Sequence, residues 1–230
     1  MKAIIIAVDG PAGSGKSSVC KGCAMELGWR YLDTGAMYRA LTWAVLEAGI
    51  APENSEAVVA LAKKTVIRSG TNPEEPTIEV DGKDVSLEIR GADVTEAVSA
   101  VSANPRVREL LVQQQRDEAR KALQSGTGIV VEGRDITTVV LPNAQLKVYL
   151  TASPEVRALR RAKEEAGAAI ASQEAVSETQ LALQRRDHLD STREASPLKQ
   201  AHDADELDTS ELTLAEVIDE VVKRAQAVAK

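Results

Sequence analysis

Residues 3–18 read AIIIAVDGPAGSGKSS, and this stretch decides the fold. Six apolar residues, Ala3 to Val8, predict a short, fully buried parallel strand. After Asp9, the eight residues Gly10-Pro-Ala-Gly-Ser-Gly-Lys-Ser17 fill the pattern G-x-x-x-x-G-K-[S/T] without a mismatch. A helix is predicted from about Lys16 to Leu27, and strand, loop and helix in that order are the context a phosphate-binding loop requires. The glycines let backbone N–H groups turn inward as an anion nest, and the helix start adds its positive dipole end. In this arrangement Gly10, Pro11, Ala12, Gly13, Ser14, Gly15, Lys16, Ser17 and Ser18 are candidate ATP-contacting residues. Lys16 would reach the β- and γ-phosphates, and the Ser17 hydroxyl would ligate magnesium.

The whole chain has 230 residues, enough for one core with an inserted lobe. Its 28 Lys and Arg against 35 Asp and Glu leave a net charge of −7, which argues against general binding to nucleic acid or anionic membranes. Phe is absent, and two Trp and three Tyr give little material for base-stacking platforms. The first apolar run is too short for a signal peptide or a membrane span, so the expected location is cytoplasmic. Cys20 and Cys23 have C-x-x-C spacing. They also fall on one apolar stripe with Val19 and Leu27 of the first helix, which favours buried core thiols over a redox or zinc pair.

Further along, helical spacing is read at about Met37 to Ala48 and at Glu53 to Lys64, the latter capped by Asn54 or Ser55. Thr65 to Ile89 breaks into short β-like runs punctuated by Ser69-Gly, Asn72-Pro, Glu75-Pro and Asp81-Gly, a small antiparallel insert. A helix follows from Asn104-Pro105 to Leu123. Buried strands are predicted at Gly128 to Val131 and Gln145 to Leu150, and an arginine-rich helix opens at Pro154. Gly167 to Ser177 is alanine-rich and weakly patterned, as expected of a mobile segment between helices. Thr213-Leu-Ala-Glu216 matches a capping box at the head of a final amphipathic helix running to about Ala229.

A phosphoryl acceptor with its own phosphate needs cationic clamps, which the planar fork of Arg supplies best. Thr34 and Arg39 stand near the mouth of the second βα turn. Arg90 ends the insert, and Arg106 and Arg108 open a helix. Arg134-Asp135 directly follows a buried strand, where ligands of open α/β sheets bind. Arg157, Arg160 and Arg161 share one helix face, as do Arg186, Asp190 and Arg193, which as a set could equally be an ion-pair ladder. Arginines on a closing segment would stabilise the moving phosphoryl group while excluding water.

Taken together, these motifs resemble the bacterial cytidylate kinases, a family of nucleoside monophosphate kinases. The resemblance is carried by Ile6 to Ser17, Tyr31-Leu-Asp-Thr-Gly-Ala-Met-Tyr-Arg39, Val85 to Arg90, Pro105-Arg-Val-Arg108, Glu132-Gly-Arg-Asp135, Arg186 to Arg193 and Ala195-Ser-Pro-Leu198, in the family's order. It implies a three-layer P-loop kinase fold, a central parallel sheet flanked by helices, with a small antiparallel β insert in an acceptor-binding lobe and a helical lid. The implied organisation is one domain over 1–230, with a core of about 1–60, 104–155 and 194–230, an acceptor lobe of about 61–103 and a lid of about 156–193. The implied reaction uses ATP and Mg2+ to phosphorylate CMP or dCMP directly, in a monomer that needs no nucleic acid or membrane partner.

Carried over by position, the resemblance puts Thr34 and Asp135 at the cytosine, with Arg108 near the base and phosphate. Arg39 and Arg134 fall at the acceptor phosphate, Ser99, Arg186 and Asp190 at the pentose, and Arg193 near the phosphates. Arg157, Arg160 and Arg161 belong to the lid. Three departures stand out. The loop ends Gly-Lys-Ser-Ser rather than in Thr, Ile136-Thr137 stands where a small Gly is usual, and Leu189 replaces a frequent arginine. Two rival readings remain: a P-loop kinase for UMP, AMP or a shikimate-type alcohol, and a nucleotide switch. A GTPase switch would ordinarily carry Asn-Lys-x-Asp, which the sequence lacks.

Overall fold

In the computed structural model, which describes residues 1–167 and 172–230 and only the backbone of Glu165, alternating strands and helices build one five-stranded sheet and one small satellite sheet. The first segment is β1 (Ile5–Asp9), followed by α1 (Lys16–Leu27), β2 (Arg30–Asp33) and α2 (Thr34–Glu47). α2 starts three residues before its apolar pattern because the Asp33 carboxylate caps it, accepting from Ala36 N–H at 3.0 Å. α3 (Ser55–Ala62) is capped by Asn54. The insert follows as β3 (Ile67–Ser69), β4 (Ile78–Val80) and β5 (Lys83–Asp84), an antiparallel three-stranded sheet. A helix that the sequence reading did not assign, α4 (Ala92–Ala103), buries Val94, Val98 and Val101.

α5 (Pro105–Gln124) has Pro at its first turn and Asn104 as cap. β6 (Ile129–Gly133) runs into a short π-helical turn at Ile136–Val140, where Val140 N–H bonds to Asp135 O at 3.1 Å. β7 (Leu146–Thr151), α6 (Pro154–Ala166), α7 (Gln173–Thr192), β8 (Asp205–Asp208) and α8 (Leu214–Val228) complete the chain. The capping box at Thr213 and Glu216 is formed, an arrangement that stabilises by about 1 kcal/mol. Of the expected mobile stretch 167–177, residues 168–171 lie outside the described residues, whereas Gln173 to Ser177 are helical, with Ser172 capping the turn.

All pairings in the main sheet are parallel, in the order β2-β6-β1-β7-β8. Period-two alternation sends Ile6 and Val8 to one face with Val130 and Val148, packed under α1 and α8, and sends Ala7 to the other with Val131 and Leu32, under α2 and α5. The result is the expected three-layer arrangement with a parallel sheet in the middle. Cys20 and Cys23 lie in the first of these cores as free buried thiols, and burial pushes the Cys23 thiol up to about 12. β1 is central, flanked by β6 and β7, so the carboxyl ends of these strands open a crevice of the kind that binds ligands in open α/β sheets.

Candidate active site

The crevice is a cleft of about 280 Å³. It is lined by the phosphate loop, the Asp33 to Arg39 turn, Glu132 to Asp135 and the inner face of α7. Eight Lys or Arg side chains border it against five Asp or Glu, a local positive balance in a chain of net charge −7.

The loop follows from the end of β1. Gly10 is obligatory there, because a Cβ would sit 2.0 Å from the Leu150 carbonyl oxygen of the neighbouring strand. Just before it, Asp9 is buried and accepts from Ile136 N–H, Thr137 N–H and Thr137 Oγ1 at 2.8, 2.8 and 2.6 Å. Burial raises the Asp9 carboxyl while these bonds pull it down. Thr137, standing where a small Gly is usual, thus serves as an extra clasp between β1 and the π turn. Lys16 Nζ donates to Pro11 O at 2.7 Å and is pushed down to about 7 by burial and by Arg134, against the pull of Glu132.

Glu132 went without a role in the sequence reading, although it ends a buried strand. Its carboxylate accepts from Ser17 Oγ at 3.0 Å and, on its other oxygen, from the Tyr31 hydroxyl in a short contact. Burial and the nearby Asp33 raise it to about 7. Ser17 and Glu132 together present hard oxygen donors beside the loop, which suits magnesium. Thr34 Oγ1 donates to Glu132 O at 2.7 Å, tying the second turn to the same strand end.

Seven expected arginines line the cleft: Arg39, Arg90, Arg108, Arg134, Arg161, Arg186 and Arg193. Burial lowers Arg186 to about 9, and Arg134 and Arg39 push the same way. Arg39 falls to about 10 through burial and Arg161. Both remain protonated at neutral pH, so their mutual repulsion marks a site that gains by taking up an anion. Buried nitrogens Arg186 Nε and Arg193 Nη2 have no hydrogen-bond partner among the described residues, which points the same way.

Counter-charges hold three of these arginines. Arg134 donates to Gly10 O at 2.5 Å and pairs with Asp190 at 2.8 Å, linking β6, the loop and α7. Arg108 pairs with Asp135 at 2.5 Å, both nearly fully buried, with the Tyr38 ring 5.1 Å from the guanidinium. Arg193 lies 3.9 Å from Asp135 and 3.7 Å from Asp190.

Other expected residues sit elsewhere. Ser99 is half-buried on α4 and is not among the cleft-lining residues, where Ser102 stands instead. Arg106 pairs with Glu56 on the surface. Arg157 does not line the cleft, since its guanidinium is committed to the Ala12 and Ala152 carbonyls and to Asp187. Arg160 donates to Thr209 Oγ1 and O at 2.8 and 2.7 Å, beside Gly15. Arg161, which does line the cleft, pairs there with Glu164 at 3.0 Å. Leu189 is exposed. No described helix is long and apolar enough to cross a membrane.

The chain is similar to known proteins over nearly its whole length. A family model described as cytidylate kinase matches residues 6–227. A cytidylate kinase of Streptomyces avermitilis is 53% identical, the alignment covering 96% of this chain and 91% of that protein. A cytidylate kinase of Mycolicibacterium paratuberculosis is 52% identical over 99% of this chain and 98% of its own. A solved structure of an uncharacterized protein from Eubacterium ventriosum shares the fold at 14% identity with a TM-score of 0.52, over 98% of this chain and 99% of its own. With the family model spanning nearly the whole chain and relatives more than half identical, this chain belongs to the cytidylate kinase family.

Proposed function

We propose that the chain transfers the γ-phosphoryl group of ATP to CMP or dCMP, giving ADP and CDP or dCDP. The observation that carries the reading is the convergence of Arg39, Arg134, Arg161 and Arg186 on the cleft that the loop lysine Lys16 also lines. A phosphate loop alone fits any nucleotide binder, but a second cationic cluster in the same cleft fits an acceptor that bears a phosphate of its own.

Residues 10–18 take the donor phosphates on this reading, with Lys16 neutralising charge as it moves to the transferring group. Bound magnesium would supply charge neutralisation between the phosphates, held at Ser17 with Glu132 beside it. Among the described residues no cluster of three or more His, Cys, Asp or Glu forms a complete metal cage. A magnesium ion that shares phosphate oxygens needs only one or two from the protein.

Arg39, Arg134 and Arg193 hold the acceptor phosphate, while Arg186 and Asp190 meet the sugar. Thr34 and the Arg108–Asp135 pair read the base. A carboxylate accepts from the exocyclic amine of cytosine and repels the carbonyl oxygen that uracil carries in its place, and the guanidinium donates to ring acceptors. The lobe of about 61–103 and the α6–α7 pair, about 156–193, flank the cleft as acceptor lobe and lid.

ADP release followed with and without CMP separates this from a nucleotide switch. A kinase accelerates ADP formation many-fold when the acceptor is added, and an acceptor-independent rate overturns the reading.

A further inference from the structure

The geometry points to Asp187 as a positioning residue for the donor loop, gripping the loop at Ala12 from its outer side and thereby setting the inner face for phosphate. The inference rests on the reading of that loop as the ATP site. Asp187 Oδ1 accepts from Ala12 N–H at 3.1 Å. Its other oxygen, Oδ2, pairs closely with Arg157 Nη1, and that same nitrogen donates to Ala12 O at 3.0 Å. One carboxylate and one guanidinium thus satisfy both backbone polar groups of a single loop residue. The two partners come from different helices, α7 and α6.

Packing reinforces the clamp. The Ala12 side chain clusters with Ala158 of α6 and Leu183 of α7. At the next residue, φ of Gly13 is +75° and a Cβ would lie 2.9 Å from the Arg157 carbonyl oxygen, so loop and helix touch backbone to backbone. Ala12, Gly13, Gly15 and Lys16 line the cleft, whereas Asp187 and Arg157 do not. The clamp therefore leaves the phosphate-facing side of the loop open and does not compete with a nucleotide.

Asp187 directly follows Arg186 and lies three residues before Asp190, and both of these line the cleft. The helix that delivers acceptor-side charges is in this way fastened to the donor loop. A carboxylate suits the position for two reasons. Arg157 is buried and would be costly without a counter-charge, and a loop peptide held in advance loses less freedom when the nucleotide binds.

The test measures binding of Mg2+ with a non-hydrolysable ATP analogue to the full chain by calorimetry, alongside KM for CMP and the melting temperature. In Asp187→Ala the Kd for the analogue is expected to rise about 10- to 100-fold, with the CMP KM changed less than about twofold. Asp187→Asn keeps an acceptor for Ala12 but loses the charge, so it falls between wild type and Asp187→Ala. Arg157→Met weakens analogue binding by a similar factor. The double variant Asp187→Ala/Arg157→Met is no weaker than the worse single, because the pair acts as one unit. Unchanged analogue affinity in folded Asp187→Ala or Asp187→Asn overturns the inference, as do strictly additive losses or a parallel rise in the CMP KM. A wild-type chain that binds no analogue defeats the donor-site reading itself, which the variants cannot do.

Discussion

The Ser17 hydroxyl donates to the Glu132 carboxylate at 3.0 Å across 115 residues of sequence, joining the start of α1 to the end of β6. Both groups sit where the loop and the acceptor turn meet. Glu132 is buried and also receives the Tyr31 hydroxyl, so its charge is held in a low-dielectric site.

That burial makes a pH prediction. Glu132 is raised from 4.5 to about 7, so the fold favours its protonated form. Its contribution to stability is present below about pH 4.5 and lost as pH rises through about 7. Glu132→Gln removes this loss. Melting of the nucleotide-free protein is expected to show Glu132→Gln gaining several degrees over wild type at pH 8, with the gain shrinking toward zero at pH 5. A gain independent of pH contradicts the assignment.

Arg134 bridges Gly10 and Asp190 and is read as an acceptor-phosphate clamp. Arg134→Ala should lower kcat/KM for CMP by about 2 to 4 kcal/mol in transition-state terms. The KM for ATP should move little. Unaltered steady-state kinetics would return the residue to a purely structural role.

Arg108 and Asp135 form a nearly inaccessible pair. Asp135→Ala strands a buried guanidinium, and urea unfolding should report a loss of about 3 kcal/mol or more. Arg108→Met combined with Asp135→Leu should be less destabilised than Asp135→Ala alone, since no uncompensated charge remains, while the preference for CMP over UMP disappears. Retained preference in the double variant argues against base reading by this pair.

Cys20 and Cys23 are buried thiols whose ionisation is suppressed by desolvation. Neither should react with a disulfide reagent such as DTNB until the protein is unfolded. Cys20→Ala with Cys23→Ala is expected to keep full activity at a stability cost of about 1 to 2 kcal/mol per residue. Rapid native labelling, or lost activity in a folded variant, contradicts a packing role.

What the sequence disclosed follows from how local each signal is. The loop, α1 and the capping box at Thr213 depend on spacings of a few residues, and the structure matches them closely. β8 escaped notice because Asp-Glu-Leu-Asp is an acidic, mostly exposed edge strand with no apolar alternation. α4 hid behind serines and β-branched residues, although Val94, Val98 and Val101 keep helical spacing. Ser99, put at the sugar by the resemblance, is not among the cleft-lining residues, whereas Ser102 of the same helix is.

The site divides in the same way. Arg134 and Asp135 could be singled out because two charges directly after a buried strand have little structural need. Glu132, Tyr31 and Asp187 could not, since each acts through a partner more than 25 residues away. Arg157 and Arg160 were legible as one helix face, but only packing reveals that their guanidinium groups are spent on carbonyls, Thr209 and Asp187.

The most direct measurement compares kcat/KM across an acceptor panel of CMP, dCMP, UMP, AMP and shikimate with ATP and Mg2+. CMP and dCMP are expected to exceed every other acceptor by at least about tenfold, the margin of one well-placed polar contact in a buried site. A higher kcat/KM for UMP, AMP or shikimate than for both cytidine nucleotides contradicts the account.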